Sequence, residues 1–284
     1  MSTHFNIPPD AVRVWRGFRQ PTLAQADFFT RLSDTFIPST VEMQIQNGLD
    51  VYIPTVPCGL DNKPATVPDE TAILFWDSQQ TYHDGFLTLA GRTYTLTHGG
   101  VYTHESRADF PVLFAGQLAL NTCYYLIDKP ADWMHGNVYH LVAQAPKDGL
   151  AQYQEIIHGI QSRGQVDGAV VCLGDDYIVY WQLNGEDDPG FKALASASEW
   201  QMIREANPYH FPKGSALWDK WPGMDVKPGD SFNMQFIRKF EADAIKPQPV
   251  APDSVHVWRG YRNEEKTPEE FAAFLGSVFL PTGS

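Results

Sequence analysis

The chain has 284 residues, of which 43% are hydrophobic and 13% aromatic, which is enough apolar material for packed cores and excludes a disordered protein. Its formal net charge of −13 repels phosphate backbones and anionic lipid, so neither nucleic acid nor a membrane surface is an expected partner. Neither a membrane span nor a secretory signal is expected from the hydropathy pattern. The three cysteines, Cys58, Cys123 and Cys172, form no CxxC pair, so we expect a cytoplasmic protein with unpaired thiols.

Residues 1–118 are predicted to form a first domain. Its predicted elements are a strand at 12–19, a helix at 23–36, strands at 49–56 and 71–76, and a helix that begins near Ser78. The fourth strand is not well defined by the pattern, and residues 123–127 are a candidate for it. Residues 42–48 have an alternative interpretation as the first arm of an Asn-Gly hairpin.

Residues 119–246 form the clearest predicted unit. Its predicted elements are a strand at 137–145, a helix at 149–163, strands at 167–173 and 177–183, a helix at 189–207 and a strand at 231–240. The run Gly174-Asp175-Asp176 predicts a hairpin between the second and third strands. The resulting β-α-β-β-α-β order is that of a ferredoxin-like unit.

Residues 247–284 begin with a Pro-rich linker and then repeat the start of the chain. The segment VRVWRGFR at 12–19 recurs as VHVWRGYR at 255–262, and ten of 28 positions match at a constant offset of 243 residues. This match predicts an architecture built by duplication, with a partial third repeat. By analogy with the first copy, a strand is predicted at 255–262 and a helix at 268–279. Either the natural protein is longer, or this terminal strand and helix pack on an existing sheet or pair with a second copy in a homodimer.

The order of elements over residues 10–245 resembles the dimeric α+β barrel superfamily. The run Ser196-Ala197-Ser198-Glu199-Trp200 within the second predicted helix is also similar to several of its families. The resemblance implies an α+β fold in which tandem ferredoxin-like units form a barrel. Known members include cofactor-free monooxygenases, lactone isomerases, small cyclases and haem proteins, and their sites lie between a sheet and its helices. It therefore implies where a site lies rather than which reaction occurs.

Arg16 is the first candidate for substrate binding. In a strand it shares an apolar face with neighbouring valines, and a buried guanidinium requires an anionic partner. That partner is either a ligand carboxylate or enolate, or a protein acid such as Asp77 or Glu70. Trp15 points to the opposite face and is either a core residue or part of a substrate-binding wall.

A second group of candidates is rich in histidine and tyrosine. Histidine is a natural general base near neutral pH, and tyrosine can donate to an oxyanion. On a helix, His98 and Tyr102 would face alike. The alternatives are a polar loop with surface histidines, or metal or haem ligation, although no HExxH pattern occurs. The predicted catalytic residues are His83, His98, Tyr102 and His104, and Tyr82 and His140 are further substrate-binding candidates, His140 alternatively being a satisfied core residue.

These observations favour an enzyme that acts on a small hydrophobic, enolisable or carboxylate-bearing molecule by general acid–base chemistry. A monooxygenase, isomerase or cyclase would fit this description. No cofactor is expected, and the absence of GxGxxG and GxxxxGK motifs argues specifically against a nucleotide cofactor. The alternatives are a haem-binding oxidoreductase and a non-catalytic binding or assembly module. Absorbance in the Soret region distinguishes the haem protein from the other two.

Overall fold

A computed structural model describes residues 6–32, 36–55, 62–133, 136–206, 209–210 and 260–274. Its first half, in chain order, comprises β1 (Val12–Gly17), α1 (Gln25–Arg31), α2 (Ile37–Ile45), β2 (Leu49–Thr55), β3 (Glu70–Trp76), α3 (Gln79–Leu87), α4 (Leu89–Gly99) and β4 (Arg107–Asp109). These strands lie in the order β2-β3-β1-β4, and every neighbouring pair is antiparallel. Side chains alternate along β1, so one face of this sheet carries the helices and the other is free to pack against a second sheet.

The second half begins with two short strands at the edge of that second sheet. Its elements are β5 (Val112–Leu113), β6 (Thr122–Tyr125), β7 (Val138–Gln144), α5 (Leu150–Arg163), β8 (Gly168–Leu173), β9 (Tyr177–Leu183), α6 (Pro189–Ser196), β10 (Trp200–Ala206) and β11 (Tyr209–His210). The sheet order is β10-β7-β9-β8-β6-β5, with only β5 and β6 parallel. The predicted hairpin is confirmed, because β8 and β9 are adjacent antiparallel strands.

The protein is therefore a mixed α+β fold with antiparallel sheets. In each half, four strands have the neighbour order of a βαββαβ unit, which is consistent with a ferredoxin-like fold. The sheets face each other: Val14 and Phe75 of the first share one apolar core with Val179 and Trp181 of the second. After β10 the chain crosses back, and β11 pairs with β2. No closed barrel is found among the described residues, and duplication and the domain boundaries at 118/119 and 246/247 stay predictions.

Two predictions for the first half are corrected. Residues 123–127 do not supply its fourth strand, because they lie largely in β6 and pair with the second sheet. The fourth strand is β4, which is only three residues long and largely exposed, so it lacks the apolar alternation that identifies a strand. The alternative hairpin at 42–48 is also wrong, because α2 continues through Ile45.

The second predicted helix of the middle unit ends earlier than expected. It stops at Ser196, and Trp200–Ala206 forms β10, which pairs with β7 along its whole length. Ser198 helps to end the helix, since its hydroxyl donates to the Leu194 carbonyl at 2.8 Å. Pairing with an open sheet edge therefore outweighs the helical spacing of the apolar residues. The predicted strand at 231–240 lies outside the described residues.

The cysteine prediction is corrected as well. Cys123 on β6 and Cys172 on β8 lie directly opposite each other, with Cα atoms 4.1 Å apart, and they form a disulfide. Both side chains are buried in the core between the sheets. Sequence spacing could not reveal the pair, since the two cysteines are 49 positions apart in the chain. Cys58 lies outside the described residues.

The described part of the C-terminal region contains α7 (Pro268–Phe274), which agrees with the start of the helix predicted at 268–279. Most of the strand predicted at 255–262 lies outside the described residues, and Tyr261, which is described, is 94% exposed. Among the helices that are described, none combines the length and the apolar character needed to cross a membrane.

Candidate functional site

A cavity of about 540 Å³ opens on the helix-bearing face of the first sheet, between β1 and α4. Alternation along β1 sends Arg13 and Trp15 towards this cavity, and α4 presents Tyr94 and His98 from the other side. The last two are one helical turn apart, so their rings meet with centroids 4.5 Å apart. Further wall residues are Phe86, Tyr102, Thr103, His104 and Ser106.

A buried carboxylate, Glu70, lies behind the part of the cavity wall that Trp15 and Tyr102 form. It accepts hydrogen bonds from Trp15 Nε1 at 2.7 Å, from the Tyr52 hydroxyl at 2.5 Å and from the Tyr102 hydroxyl. Burial raises the pKa of Glu70, and the three hydrogen bonds oppose that shift. Burial and the nearby carboxylate raise the pKa of both tyrosines, which therefore remain donors.

The contacts with Glu70 define what Trp15 and Tyr102 can offer a ligand. Their polar atoms already donate to the carboxylate, so their rings supply apolar contact area. The predicted role of Tyr102 as a donor to an oxyanion consequently has no support from this arrangement. From the sequence, Glu70 is expected only as a candidate partner for Arg16, and no local pattern indicates its contact with two tyrosines.

Gly17 makes this arrangement possible. It lies opposite Glu70 in the β1–β3 pair, and a Cβ atom built on it would lie 2.6 Å from Tyr102 Cε1 and 2.7 Å from Trp15 Nε1. Neither ring can move aside without losing its hydrogen bond to the carboxylate. Only glycine at this position lets both rings cross the strand and reach Glu70.

We expect Gly17→Ala to lower the free energy of unfolding by about 2 kcal/mol, because it overpacks a site that is fixed by hydrogen bonds. Urea denaturation at pH 7 measures this change. Gly99→Ala is the matched control, since no atom lies within 4 Å of the Cβ position at Gly99. Equal stabilities of the two variants would contradict the close packing around Gly17.

His98 lies in an aromatic cage. Its ring centroid is 4.5 Å from Tyr94, 4.7 Å from Trp15 and 5.1 Å from Phe36. Its Nε2 atom is buried and has no hydrogen-bond partner among the described residues. Burial, and next the positive charge of Arg13, lower the pKa of His98 to about 3. His98 is therefore neutral at pH 7 and, without a ligand, a weak base.

Arg13 supplies the positive charge of the cavity. Its guanidinium carbon lies 4.1 Å from the centroid of the Tyr82 ring, a cation–π arrangement. Within the described part of the chain it forms no ion pair with a carboxylate, and its buried Nε atom has no hydrogen-bond partner. Burial lowers the pKa of Arg13, but a guanidinium keeps its charge at pH 7. The sequence pattern favours Arg16 as the substrate-binding cation, although Arg13 shares a strand face with Trp15.

Arg16 points to the opposite face of the sheet. It is 1% exposed, and it donates to the Val14 carbonyl at 3.1 Å and to Asp109 Oδ2 at 2.5 Å. The prediction of a buried arginine in contact with a carboxylate is confirmed, but the partner is Asp109 rather than Asp77 or Glu70. Arg16 therefore has a structural partner and does not line the cavity.

His140 also lies between the sheets. Its Nε2 is 2.9 Å from Thr71 Oγ1 of the first sheet, its Nδ1 is 3.1 Å from the Tyr180 carbonyl oxygen, and its ring stacks on Trp181. These contacts match the alternative interpretation of His140 as a satisfied core residue. They place it on the far side of the first sheet from the cavity.

The remaining candidates lie at or beyond the edge of the cavity. His104 is exposed at its rim, His83 is exposed on α3, and Tyr82 is buried beneath the Arg13 guanidinium. The structure thus brings together Trp15, His98 and Tyr102, with His104 nearby, and leaves Arg16, His83 and His140 elsewhere. No group of three or more potential metal ligands occurs within the described ranges.

The chain is similar to two solved structures, at low sequence identity. No family model matches the chain, and no curated protein matches it significantly. A proposed monooxygenase of known structure from Fusobacterium nucleatum is 9% identical over 79% of this chain and 99% of its own, with a TM-score of 0.36. A second proposed monooxygenase, from Lactobacillus acidophilus, is 5% identical over 69% of this chain and 92% of its own, with a TM-score of 0.34. At such low TM-scores these similarities carry no argument about the function.

Proposed function

We propose that the protein is an enzyme that binds a small, flat, largely apolar molecule with an acidic or enolisable oxygen in the Arg13–His98 cavity. The observation that carries this proposal is Arg13, a partly buried cation without a carboxylate partner among the described residues, next to aromatic walls. A partly desolvated charge of this kind favours an anion or a developing anion as its partner. The rings of Trp15 and Tyr102 favour a flat ligand.

The proposed chemistry is proton transfer between the ligand and a ring nitrogen of His98. An anionic ligand oxygen beside Arg13 would offset the positive charge that helps to lower the pKa of His98. His98 would therefore become a stronger base when the ligand is bound, and Arg13 would stabilise the enolate or phenolate that forms. Glu70 would act as a positioning residue, because it holds the rings of Trp15 and Tyr102 in place.

This chemistry suits the monooxygenase, isomerase and cyclase types of the dimeric α+β barrel superfamily, whose sites also lie between a sheet and its helices. Hydrogen–deuterium exchange of an enolisable probe such as 2-tetralone, followed by NMR, tests the proton transfer. His98→Phe should abolish the protein-dependent exchange. Oxygen uptake during the same reaction identifies a monooxygenase, and a Soret band of the purified protein would favour the haem alternative instead.

The binding proposal predicts the effect of removing the charge of Arg13. Arg13→Gln should weaken the binding of 2-naphthoate, a flat monoanion, at least tenfold, because a charge-assisted hydrogen bond contributes about 1.5–3 kcal/mol. Isothermal titration calorimetry measures this change. Arg92→Gln, at an exposed position of α4 outside the cavity, removes the same charge and should leave the affinity unchanged. Equal weakening by both variants would indicate only a general effect of net charge.

A further inference from the structure

A second cavity of about 700 Å³ adjoins the first. The two cavities share three wall residues, Gln20, Thr103 and His104, so a ligand long enough to cross the exposed His104 rim reaches both. The walls of the second cavity carry more polar groups than aromatic ones. Its charged residues are Arg19, Lys63, Asp69 and Glu105.

Arg19 is the cation of the second cavity that is least well neutralised. Its Nε atom is buried without a hydrogen-bond partner within the described residues, and it is 4.0 Å from the nearest Asp69 oxygen. Asp69 is engaged more closely by others, since Lys63 Nζ lies 3.3 Å from it and the backbone N–H of Arg19 donates to it at 2.9 Å. Lys63 also donates to the Val67 carbonyl at 2.6 Å. The charges of Lys63 and Asp69 therefore largely offset each other.

The remaining charge, Glu105, is exposed, so solvent and salt screen its repulsion of an anion. Arg13 lines the first cavity and Arg19 lines the second, and the two arginines lie six positions apart on β1 and the segment that follows it. Six residues of extended chain place their Cα atoms about 20 Å apart. Trp15 lies between them along β1, and its ring packs against Tyr102, which pairs with Arg19.

We propose that the ligand of this site is an elongated dianion whose first anionic or enolisable oxygen lies at Arg13 and whose second anionic group binds Arg19. This inference rests on the proposed function of the Arg13–His98 cavity and specifies its ligand. The second group is a carboxylate or a phosphate, since a guanidinium binds either through paired hydrogen bonds. A flat apolar body joins the two groups and passes over the His104 rim.

Calorimetry with two matched probes tests this proposal. The wild-type protein should bind stilbene-4,4′-dicarboxylate about tenfold more tightly than stilbene-4-carboxylate, which corresponds to one additional partly exposed ion pair of good geometry. Arg19→Gln should remove this preference and leave the affinity for the monocarboxylate unchanged. Arg13→Gln should weaken the binding of both probes, and Arg92→Gln should change neither.

The outcomes separate the two proposals. Equal affinity of the wild-type protein for the two probes would overturn the dianion inference and leave the proposed function standing. Failure of both probes and of 2-naphthoate to bind would overturn the proposed function itself. Because Arg19 also donates to the Leu23 carbonyl, Arg19→Gln could lower the stability of the fold. Arg19→Lys therefore serves as a second variant, and it should retain a measurable preference for the dicarboxylate.

Discussion

Replacing Glu70 by leucine is expected to lower the free energy of unfolding by about 4 kcal/mol, because it removes the shared acceptor of three buried donors. Leucine fills a similar volume but accepts no hydrogen bond, so Trp15, Tyr52 and Tyr102 would each keep an unsatisfied polar atom. Urea denaturation at pH 7 measures the loss, with the slope of the transition as a check on two-state unfolding.

Glu70→Gln provides the matched comparison. The single carbonyl oxygen of glutamine can accept hydrogen bonds from only some of the three donors, so this variant should lose about 2 kcal/mol of the free energy of unfolding. Glu155→Gln, at an exposed position of α5, should have almost no effect on the free energy of unfolding.

The raised pKa of Glu70 makes its contribution to stability depend on pH, because the folded protein holds the carboxyl proton more tightly than the unfolded chain does. Stability from this group is therefore largest below the unfolded pKa and falls as pH rises through the folded pKa. Glu70→Gln should lack this contribution.

Acidification should destabilise the protein through His98. The pKa of His98 is lowered from 6.5 to about 3 in the folded state, so the unfolded chain binds the proton more readily. The stability contributed by neutral His98 is complete above pH 6.5 and is lost as pH falls towards 3. Between pH 6.5 and 4 the loss should amount to about 2–3 kcal/mol, a figure that allows for partial solvent screening.

His98→Phe isolates this contribution, because phenylalanine keeps an aromatic ring in the cage and cannot be protonated. The free energies of unfolding of both proteins should be measured by urea denaturation at several pH values. The two proteins share every other titratable group, so the difference between the two curves reports on His98. Parallel curves from pH 7 to pH 4 would contradict the neutral, buried state of this residue.

The sequence predicts those elements whose packing is local. The hairpin of β8 and β9 follows from two apolar runs joined by Gly174-Asp175-Asp176. The helix predicted to begin near Ser78 is α3, and Ser78 is its N-cap. Elements that depend on distant partners are not predictable in this way. The segment of β10 has helical spacing, and β4 has no recognisable pattern, and both become strands because an open sheet edge accepts them.

The candidate site was only partly predictable. Helical spacing indicated that the side chains of His98 and Tyr102 meet. Their ring centroids do lie 5.6 Å apart, although α4 already ends at Gly99 and does not include Tyr102. Arg13 and Arg16 differ in role because alternation along one strand sends them to opposite faces, and the sequence does not say which face bears a cavity. The central position of Glu70 depends on contacts between residues that are distant along the chain, which no local pattern encodes.

The facing sheets have a consequence for synthesis in the cell. Val14 and Phe75 of the first sheet are covered by side chains of β9 that emerge from the ribosome later. About 70 residues separate the end of β4 from the end of β9, and at about 5–20 residues per second the ribosome needs roughly 4–15 s to make them. During this interval the nascent first sheet has one uncovered apolar face. The yield of folded protein should therefore depend on translation speed and on chaperones that shield that face until β9 is complete.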